Sequence, residues 1–213
     1  MEQIQCTCTK CKNQMQREVL YVYVPQQRDA LQKMEYFKAI CPKCGHNMKL
    51  YYPCVYLNEE KHFIVFFTGG RLFESPALEA ERLTKRKSTD MEARICVTLE
   101  EFIEKVEIFE AGLDDRSMEM FKLTLFARLH IQDPALQYVY FYRRTNHEQL
   151  EFTLVFGQET RGISVSQDLY MGIFDIMEKE AANEVADGFL TIDREWAGQR
   201  IKNEIGELSQ EDL

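Results

Sequence analysis

The sequence predicts an α+β fold with a zinc-ribbon-like antiparallel β domain at the N-terminus, a helical pair, and an antiparallel α+β domain at the C-terminus. Three observations carry this. Two cysteine knuckles, Cys8-Thr9-Lys10-Cys11 and Cys41-Pro42-Lys43-Cys44, lie among short β-branched and aromatic runs. Apolar residues recur at helical spacing between residues 98 and 132. Beyond Pro134 strand patterning returns and leads into another amphipathic helix. The expected divisions are 1–70 for the β domain, 71–97 for a charged connector, 98–132 for the helical pair, 133–197 for the α+β domain and 198–213 for a polar tail.

Arg17 to Val24 (REVLYVYV), Met48 to Leu57 and His62 to Thr68 are rich in the β-branched and aromatic residues that fit a pleated surface. The longest apolar run, Phe63-Ile64-Val65-Phe66-Phe67, suits a buried strand. It falls far short of the roughly 18 residues that mark a membrane span. Between the knuckles Pro25 opens a short helix over QQRDALQK, where the missing N–H costs nothing. A strand, that helix and a return strand fill the 29 residues from Cys11 to Cys41. Gly69-Gly70 ends the unit. The connector contains EAERLTKRKSTDMEAR, charged and weakly periodic, which predicts a solvated helix or loop. Arg82, Lys85, Arg86 and Lys87 form a basic patch in it, diluted by Glu79, Glu81, Asp90 and Glu92.

Thr98-Leu99-Glu100-Glu101 reads as a capping box, in which Thr98 and Glu101 satisfy each other's backbone donors. The helix it opens buries Leu99, Phe102, Ile103, Val106 and Phe109, and Gly112 stops it. Asp114-Asp115 begins a second helix through Met118, Phe121, Leu125 and Leu129, closed by Pro134. At a helix start two adjacent carboxylates cap backbone donors and complement the dipole, a role that needs no metal or acid–base chemistry. Tyr138 to Tyr142 and Leu150 to Phe156 are strands around the polar turn Thr145-Asn146-His147, and Gly162 to Val165 is a third. Ser166 caps a helix with Leu169, Tyr170, Ile173, Phe174 and Met177 on its apolar face. Phe189 to Ile192 is a last strand before a polar tail from Gly198 that is expected to fray.

Charge is unevenly spread. Residues 1–96 carry 15 Lys/Arg against 11 Asp/Glu, a net of +4, and residues 97–213 carry 11 against 24, a net of −13. A tight nonspecific nucleic-acid binder presents a broadly basic face, which the second half does not offer. The polar opening Met1-Glu2-Gln3 has no signal-peptide pattern, so a cytoplasmic location without membrane attachment is expected.

The knuckles carry the chemistry. Each places two thiols on one tight turn, and together Cys8, Cys11, Cys41 and Cys44 supply four soft ligands, the usual set for a tetrahedral structural zinc. Seven cysteines cannot all pair as disulfides. Cys54 and Cys96 sit in apolar stretches and read as core residues. Cys6 stands two positions before Cys8 and competes with it as a ligand, but only Cys8 has the two-residue spacing. A redox dithiol wants a thioredoxin-like context, and catalytic zinc an open coordination position. Four thiolates close the shell. They bring a formal −2 to the site, which Lys10, Lys12, Lys43 and Lys49 are placed to offset. His46 follows the second knuckle and competes as a ligand, while His62, His130 and His147 are scattered. No phosphate-binding glycine loop, nucleophile elbow or metalloprotease motif appears.

An N-terminal CxxC, a CPxCG about thirty residues later, and the segments YYPCVYLNEEKHFIVFF, LEEFIEKVEIFEAGLDDRSMEMFKL and FLTIDREWA together resemble the prokaryotic CpXC domain family, to about Ala197. The resemblance implies a bacterial or archaeal cytoplasmic protein that binds zinc through Cys8, Cys11, Cys41 and Cys44, with no established activity. The chain departs from the pattern at Thr9, where proline is expected, and at Lys12, where glycine is usual. Losing that glycine costs about 1 kcal/mol if the turn needs a positive φ.

The expected function is that of a non-enzymatic adaptor that binds a protein partner or a second copy of itself. Tyr21, Tyr23, Tyr51 and Tyr52 are its candidate contact residues, although strand aromatics more often fill cores. The alternative is nucleic-acid binding through the N-terminal lysines and the patch Arg82, Lys85, Arg86 and Lys87. An enzyme would require a pocket of convergent polar groups that no motif announces.

Overall fold

A computed structural model of the chain describes residues 2–85, 91–181 and 188–211. It is a mixed α+β protein that divides into two compact units, up to Ile103 and from Glu104 onward.

The first unit begins with β1 (Glu2–Thr7) and β2 (Gln14–Val19), an antiparallel hairpin paired from Glu2↔Val19 to Thr7↔Gln14. The polar run EQIQCT does not announce β1, because a hairpin exposed on one face needs few apolar residues. The run Arg17 to Val24 is split: after β2 the chain turns at Leu20-Tyr21 and resumes as β3 (Val22–Tyr23) in a different sheet. Pro25 opens a 3₁₀ turn that continues into α1 (Arg28–Gln32). A second 3₁₀ turn, Glu35–Phe37, leads to β4 (Lys38–Ile40), which pairs antiparallel with β5 (Asn47–Lys49). Each knuckle is thus the turn of its own two-stranded hairpin, the arrangement of a zinc-ribbon-like region.

Pro53, which cannot donate to a ladder, separates β5 from β6 (Cys54–Asn58). β6 and β7 (Phe63–Phe67) form a hairpin buried along its whole length, as the run FIVFF requires. After α2 (Pro76–Thr84) the chain returns as β8 (Glu92–Cys96), parallel to β7, while β3 lies parallel to β6. The spatial order is β8-β7-β6-β3. β8 lies in the segment read as a charged connector. Its concealment was Arg94, a charged residue in mid-strand that is nevertheless buried, with its guanidinium bonded to Glu92 (2.5 Å) and to the Ala93 carbonyl (3.0 Å). Cys54 and Cys96 are buried, as their apolar surroundings require.

An aromatic cluster packs the first unit. Phe37 stacks on Tyr52 at 4.9 Å and on Tyr23 at 5.9 Å, and Phe67 stacks on Phe102 at 5.6 Å. Of the four tyrosines expected at a contact surface, Tyr23 and Tyr52 therefore belong to the core, where their hydroxyls bond each other at 2.9 Å. Burying an unpaired hydroxyl is costly, so the two are placed to satisfy each other. Tyr51 is exposed and Tyr21 half-buried.

Helix α3 (Leu99–Glu110) starts in the capping box read from sequence: Glu101 N–H donates to Thr98 Oγ1 and Thr98 N–H to Glu101 Oε2, both at 3.2 Å. Gly112 ends it in the left-handed region at φ 68°. In the second unit α4 (Asp115–Gln132) is capped by Asp114, which accepts from Ser117 N–H at 2.7 Å. Asp115 does something else: it is buried and paired with Lys105 at 3.0 Å. β9 (Tyr138–Arg144), β10 (Gln149–Phe156) and β11 (Glu159–Ser166) form an antiparallel sheet in the order β11-β10-β9. Its inner face, with Val139, Phe141, Phe152 and Leu154, packs with Met118, Phe121 and Tyr170 from the helices.

Ser166 caps α5 (Gln167–Ala181), accepting from Asp168 N–H at 3.3 Å. Tyr170, Ile173 and Phe174 join the core, whereas Leu169 is 57% exposed, and Met177 lies outside the described side chains. β12 (Phe189–Leu190) is shorter than expected and stands outside this unit's three-stranded sheet. The chain beyond Gly198 continues as helix, α6 (Arg194–Glu211). Arg194 anchors its start, 3.8 Å over the Phe126 ring and bonded to the Gln137 carbonyl at 3.2 Å. Among the described residues no helix is long and apolar enough to cross a membrane.

Candidate metal centre

The two knuckles are built alike. In the first, Cys8 N–H donates to the Asn13 carbonyl (2.9 Å) and Lys12 N–H to the Cys8 carbonyl (3.0 Å). In the second, Cys41 N–H donates to the His46 carbonyl (3.0 Å) and Gly45 N–H to the Cys41 carbonyl (2.9 Å). The residue after the second cysteine takes a left-handed conformation in both, φ 59° at Lys12 and 68° at Gly45. That is the conformation for which glycine is suited and lysine is not.

The hairpins bring the four sulfurs together: Cys8, Cys11, Cys41 and Cys44 have all their Sγ atoms within 4.8 Å of one another. Cys8 Sγ is 3.7 Å from Cys44 Sγ, and Cys11 Sγ is 3.6 Å from Cys41 Sγ. A tetrahedron with zinc–sulfur bonds of about 2.3 Å has edges of about 3.8 Å. These separations match that edge and are far too long for disulfides, whose S–S bond is about 2.05 Å. The residues present therefore fit a thiolate-bound metal ion. Among the described residues this is the one convergent group of three or more His, Cys, Asp or Glu ligand atoms.

Backbone N–H groups favour the thiolate at Cys8 and Cys41. The Cys11 N–H points at Cys8 Sγ (3.5 Å) and is the largest cause that lowers this thiol to about 6, opposed by burial and helped by the Lys10 N–H. At Cys41 burial acts upward, but the N–H groups of Cys44 and Lys43 and neighbouring thiols outweigh it and lower the thiol. At Cys44 the His46 N–H acts downward and is outweighed by burial and the other three thiols, which push it up to about 12. Amide N–H groups thus take the leading role expected of the lysine ammoniums. Lys49 is engaged elsewhere, with Glu100 at 3.0 Å.

The two competing ligands stand outside the cluster. Cys6 lies on β1 opposite Met15, its thiol raised chiefly by burial. His46 Nε2 is 3.0 Å from Thr9 Oγ1, so it ties one knuckle to the other instead of joining the sulfurs. Two further ties were not legible beforehand: Thr9 N–H meets Met48 Sδ at 3.4 Å, and Arg17 bonds the Ile40 carbonyl. Thr9, the residue that departs from the expected proline, therefore supplies both a side-chain and a backbone link between hairpins.

Of the sequence-predicted basic patch, Arg82 and Lys85 are among the described residues. Arg82 is bound to Glu79 through two contacts, 2.6 and 2.9 Å. Lys85 caps α2 with φ 56°, and Arg86 and Lys87 lie outside the described residues.

A family model described as CpXC protein matches residues 4–122. The chain belongs to the CpXC family. The matched region contains both knuckles and runs from β1 into α4, and the FLTIDREWA segment of the CpXC resemblance falls beyond it. No curated protein matches the chain, and no solved structure matches it.

Proposed function

We propose that Cys8, Cys11, Cys41 and Cys44 hold one structural zinc ion, and that this CpXC protein is a non-enzymatic adaptor that binds a protein partner or a second copy of itself. The observation that carries the metal assignment is the sulfur geometry, with edges of 3.6 and 3.7 Å inside a group spanning at most 4.8 Å. Four thiolates favour a borderline-soft, tetrahedral ion over the hard cations that prefer oxygen. With four sulfurs the coordination shell is closed, which leaves no position for a substrate or an activated water. The role of the ion is then mechanical. A two-stranded hairpin is marginal in water by itself. Two of them crosslinked through one metal form a unit, and the binding free energy, on the order of 10 kcal/mol or more in such sites, becomes folding free energy.

The adaptor reading rests on the absence of catalytic spacing in the sequence and on the acidic second half, with 24 Asp/Glu against 11 Lys/Arg from residue 97 onward. Such a composition suits a partner with a basic face. The test is purification from the native cells at moderate salt, with co-purifying protein read by mass spectrometry and nucleic acid by absorbance ratio. A stoichiometric protein companion or a concentration-dependent oligomer is expected. Bound nucleic acid without a protein companion, released steeply by salt, would overturn the reading.

A further inference from the structure

The two hairpins that carry the knuckles are fastened to the first unit unequally. In the second, Ala39 and Met48 are buried, and so are Phe37 and Leu50, which flank its strands and are joined by Leu50 N–H donating to the Phe37 carbonyl at 2.8 Å. Phe37 stacks in the aromatic cluster, so both strands of this hairpin are rooted in the core. In the first, Val19 is the one buried residue of β1 and β2, and it lies opposite Glu2, at the end far from the knuckle. A segment with few buried apolar contacts has a low free energy of local opening. Its knuckle is also the more strained of the two, with Lys12 in the left-handed conformation that Gly45 takes in the other.

Thr9 is what joins the tip of this loosely rooted hairpin to the second, the sulfurs apart. Its hydroxyl is hydrogen-bonded to His46 Nε2 at 3.0 Å, and its N–H donates to Met48 Sδ at 3.4 Å. Arg17 adds a contact from the middle of β2 to the Ile40 carbonyl. Proline, the residue of the CpXC pattern at position 9, has neither a hydroxyl nor an N–H. Both Thr9 contacts therefore belong to this chain and not to the pattern.

We infer that the first hairpin is the moving jaw of the metal centre and the second its fixed jaw, with Thr9, through His46 and Met48, as the clasp that sets how slowly the jaws part. The inference rests on the zinc reading and adds the route and control of metal exchange. Thr9 and His46 are positioning residues. They stand outside the sulfur cluster and act by holding Cys8 and Cys11 against Cys41 and Cys44. When the first hairpin swings away, Cys41 and Cys44 stay side by side on a turn that the core still supports.

Matched amides make the inference testable: Cys8 and Lys12 N–H in the first knuckle are bonded in the same pattern as Cys41 and Gly45 N–H in the second. The test uses the full chain, isotope-labelled and zinc-loaded, at one fixed pH. Its readouts are residue-resolved amide exchange and the rate of zinc transfer to excess pyridylazoresorcinol. After correction for intrinsic rates, Cys8 and Lys12 are expected to exchange at least about tenfold faster than Cys41 and Gly45. Thr9→Val removes the hydroxyl and keeps the N–H. Zinc transfer should quicken roughly threefold to tenfold, the weight of one neutral hydrogen bond. Exchange at Cys8 and Lys12 should rise with it, while Cys41 and Gly45 stay within about twofold. Thr9→Ser, which keeps the hydroxyl, should restore the parent rate. His46→Phe should match Thr9→Val, and the double variant should be no faster than either, because all three lose the same bond. If Thr9→Val fails to load metal, His46→Phe breaks that bond from the other jaw. Equal exchange in the two knuckles of the parent, or transfer rates unchanged in Thr9→Val and His46→Phe, would overturn the inference. So would a rise at all four amides together, which marks a general loosening of the unit. Any of those results in a zinc-loaded parent leaves the zinc reading standing. A parent chain that binds no zinc sinks that reading, and the clasp with it.

Discussion

Lys12→Gly should stabilise the metal-loaded protein. Lys12 and Gly45 occupy equivalent positions in the two knuckles, at φ 59° and 68°, and only the second has the residue that this conformation favours. A side chain in the left-handed region costs about 1–2 kcal/mol. Glycine returns roughly 0.5–1 kcal/mol of that through the extra freedom of the unfolded chain. The net expected gain is about 0.5–1 kcal/mol. For a unit of this size, 1 kcal/mol corresponds to a melting shift of roughly 4–8 °C. The lysine charge complicates the comparison, because it sits beside a site with excess negative charge. Lys12→Ala removes the same charge but keeps a Cβ, so the difference between Lys12→Gly and Lys12→Ala isolates the backbone. The converse change, Gly45→Ala, should cost about 1 kcal/mol, without steric conflict, since an added Cβ there meets nothing within 4 Å. Urea unfolding of the zinc-loaded variants, followed by an aromatic signal of the first unit, is the assay. If Lys12→Gly proves no more stable than Lys12→Ala while Gly45→Ala costs nothing, the knuckles are not held in this conformation and the reasoning fails.

Two other perturbations probe different parts of the account. Gly69, at φ 64°, has the Tyr52 carbonyl carbon 2.5 Å and the Pro53 nitrogen 2.6 Å from where a Cβ would sit, so Gly69→Ala should destabilise the first unit by more than about 3 kcal/mol; a melting point within about 3 °C of the parent would contradict this packing. In the second unit burial is the main cause that raises Glu104 from 4.5 to about 7, with Glu119 adding to it and Lys122 opposing. Between those two values the folded state holds a proton that the unfolded state has lost, so this contribution is fully present below about 4.5 and is lost as pH rises towards about 7. The slope can reach about 1.4 kcal/mol per pH unit, and Glu104→Gln should flatten it in chemical denaturation at about pH 5, 6 and 7. An unchanged slope in that variant would place the proton elsewhere.

The knuckles were legible because their chemistry is local: two cysteines at fixed spacing make a turn whatever surrounds them. The capping box at Thr98 and the stop at Gly112 were legible for the same reason, since each satisfies backbone groups within one helical turn. Strands were harder where the burial that selects them comes from distant residues. β8 was hidden by Arg94, whose guanidinium is satisfied by Glu92 and Ala93, neighbours whose help cannot be read from charge alone. Strand patterning left open which of Tyr21, Tyr23, Tyr51 and Tyr52 fill the core; Tyr23 and Tyr52 do, their hydroxyls bonding each other inside an aromatic stack. Convergence of Cys8 with Cys44 and of Cys11 with Cys41 also depends on tertiary ties, among them Thr9 with His46 and Arg17 with Ile40, which no spacing rule supplies.

The central claim is that four thiolates of this CpXC protein hold one structural zinc. Its most direct test is native mass spectrometry together with elemental analysis of the purified chain, alongside a Cys41→Ser/Cys44→Ser variant. One zinc per chain is expected, with six fewer titratable thiols in the folded protein than after chelation and denaturation (the four ligands and the buried Cys54 and Cys96), and loss of both metal and stability in the variant. A chain that is metal-free, equally stable with and without chelator, and unchanged by the two substitutions would contradict it.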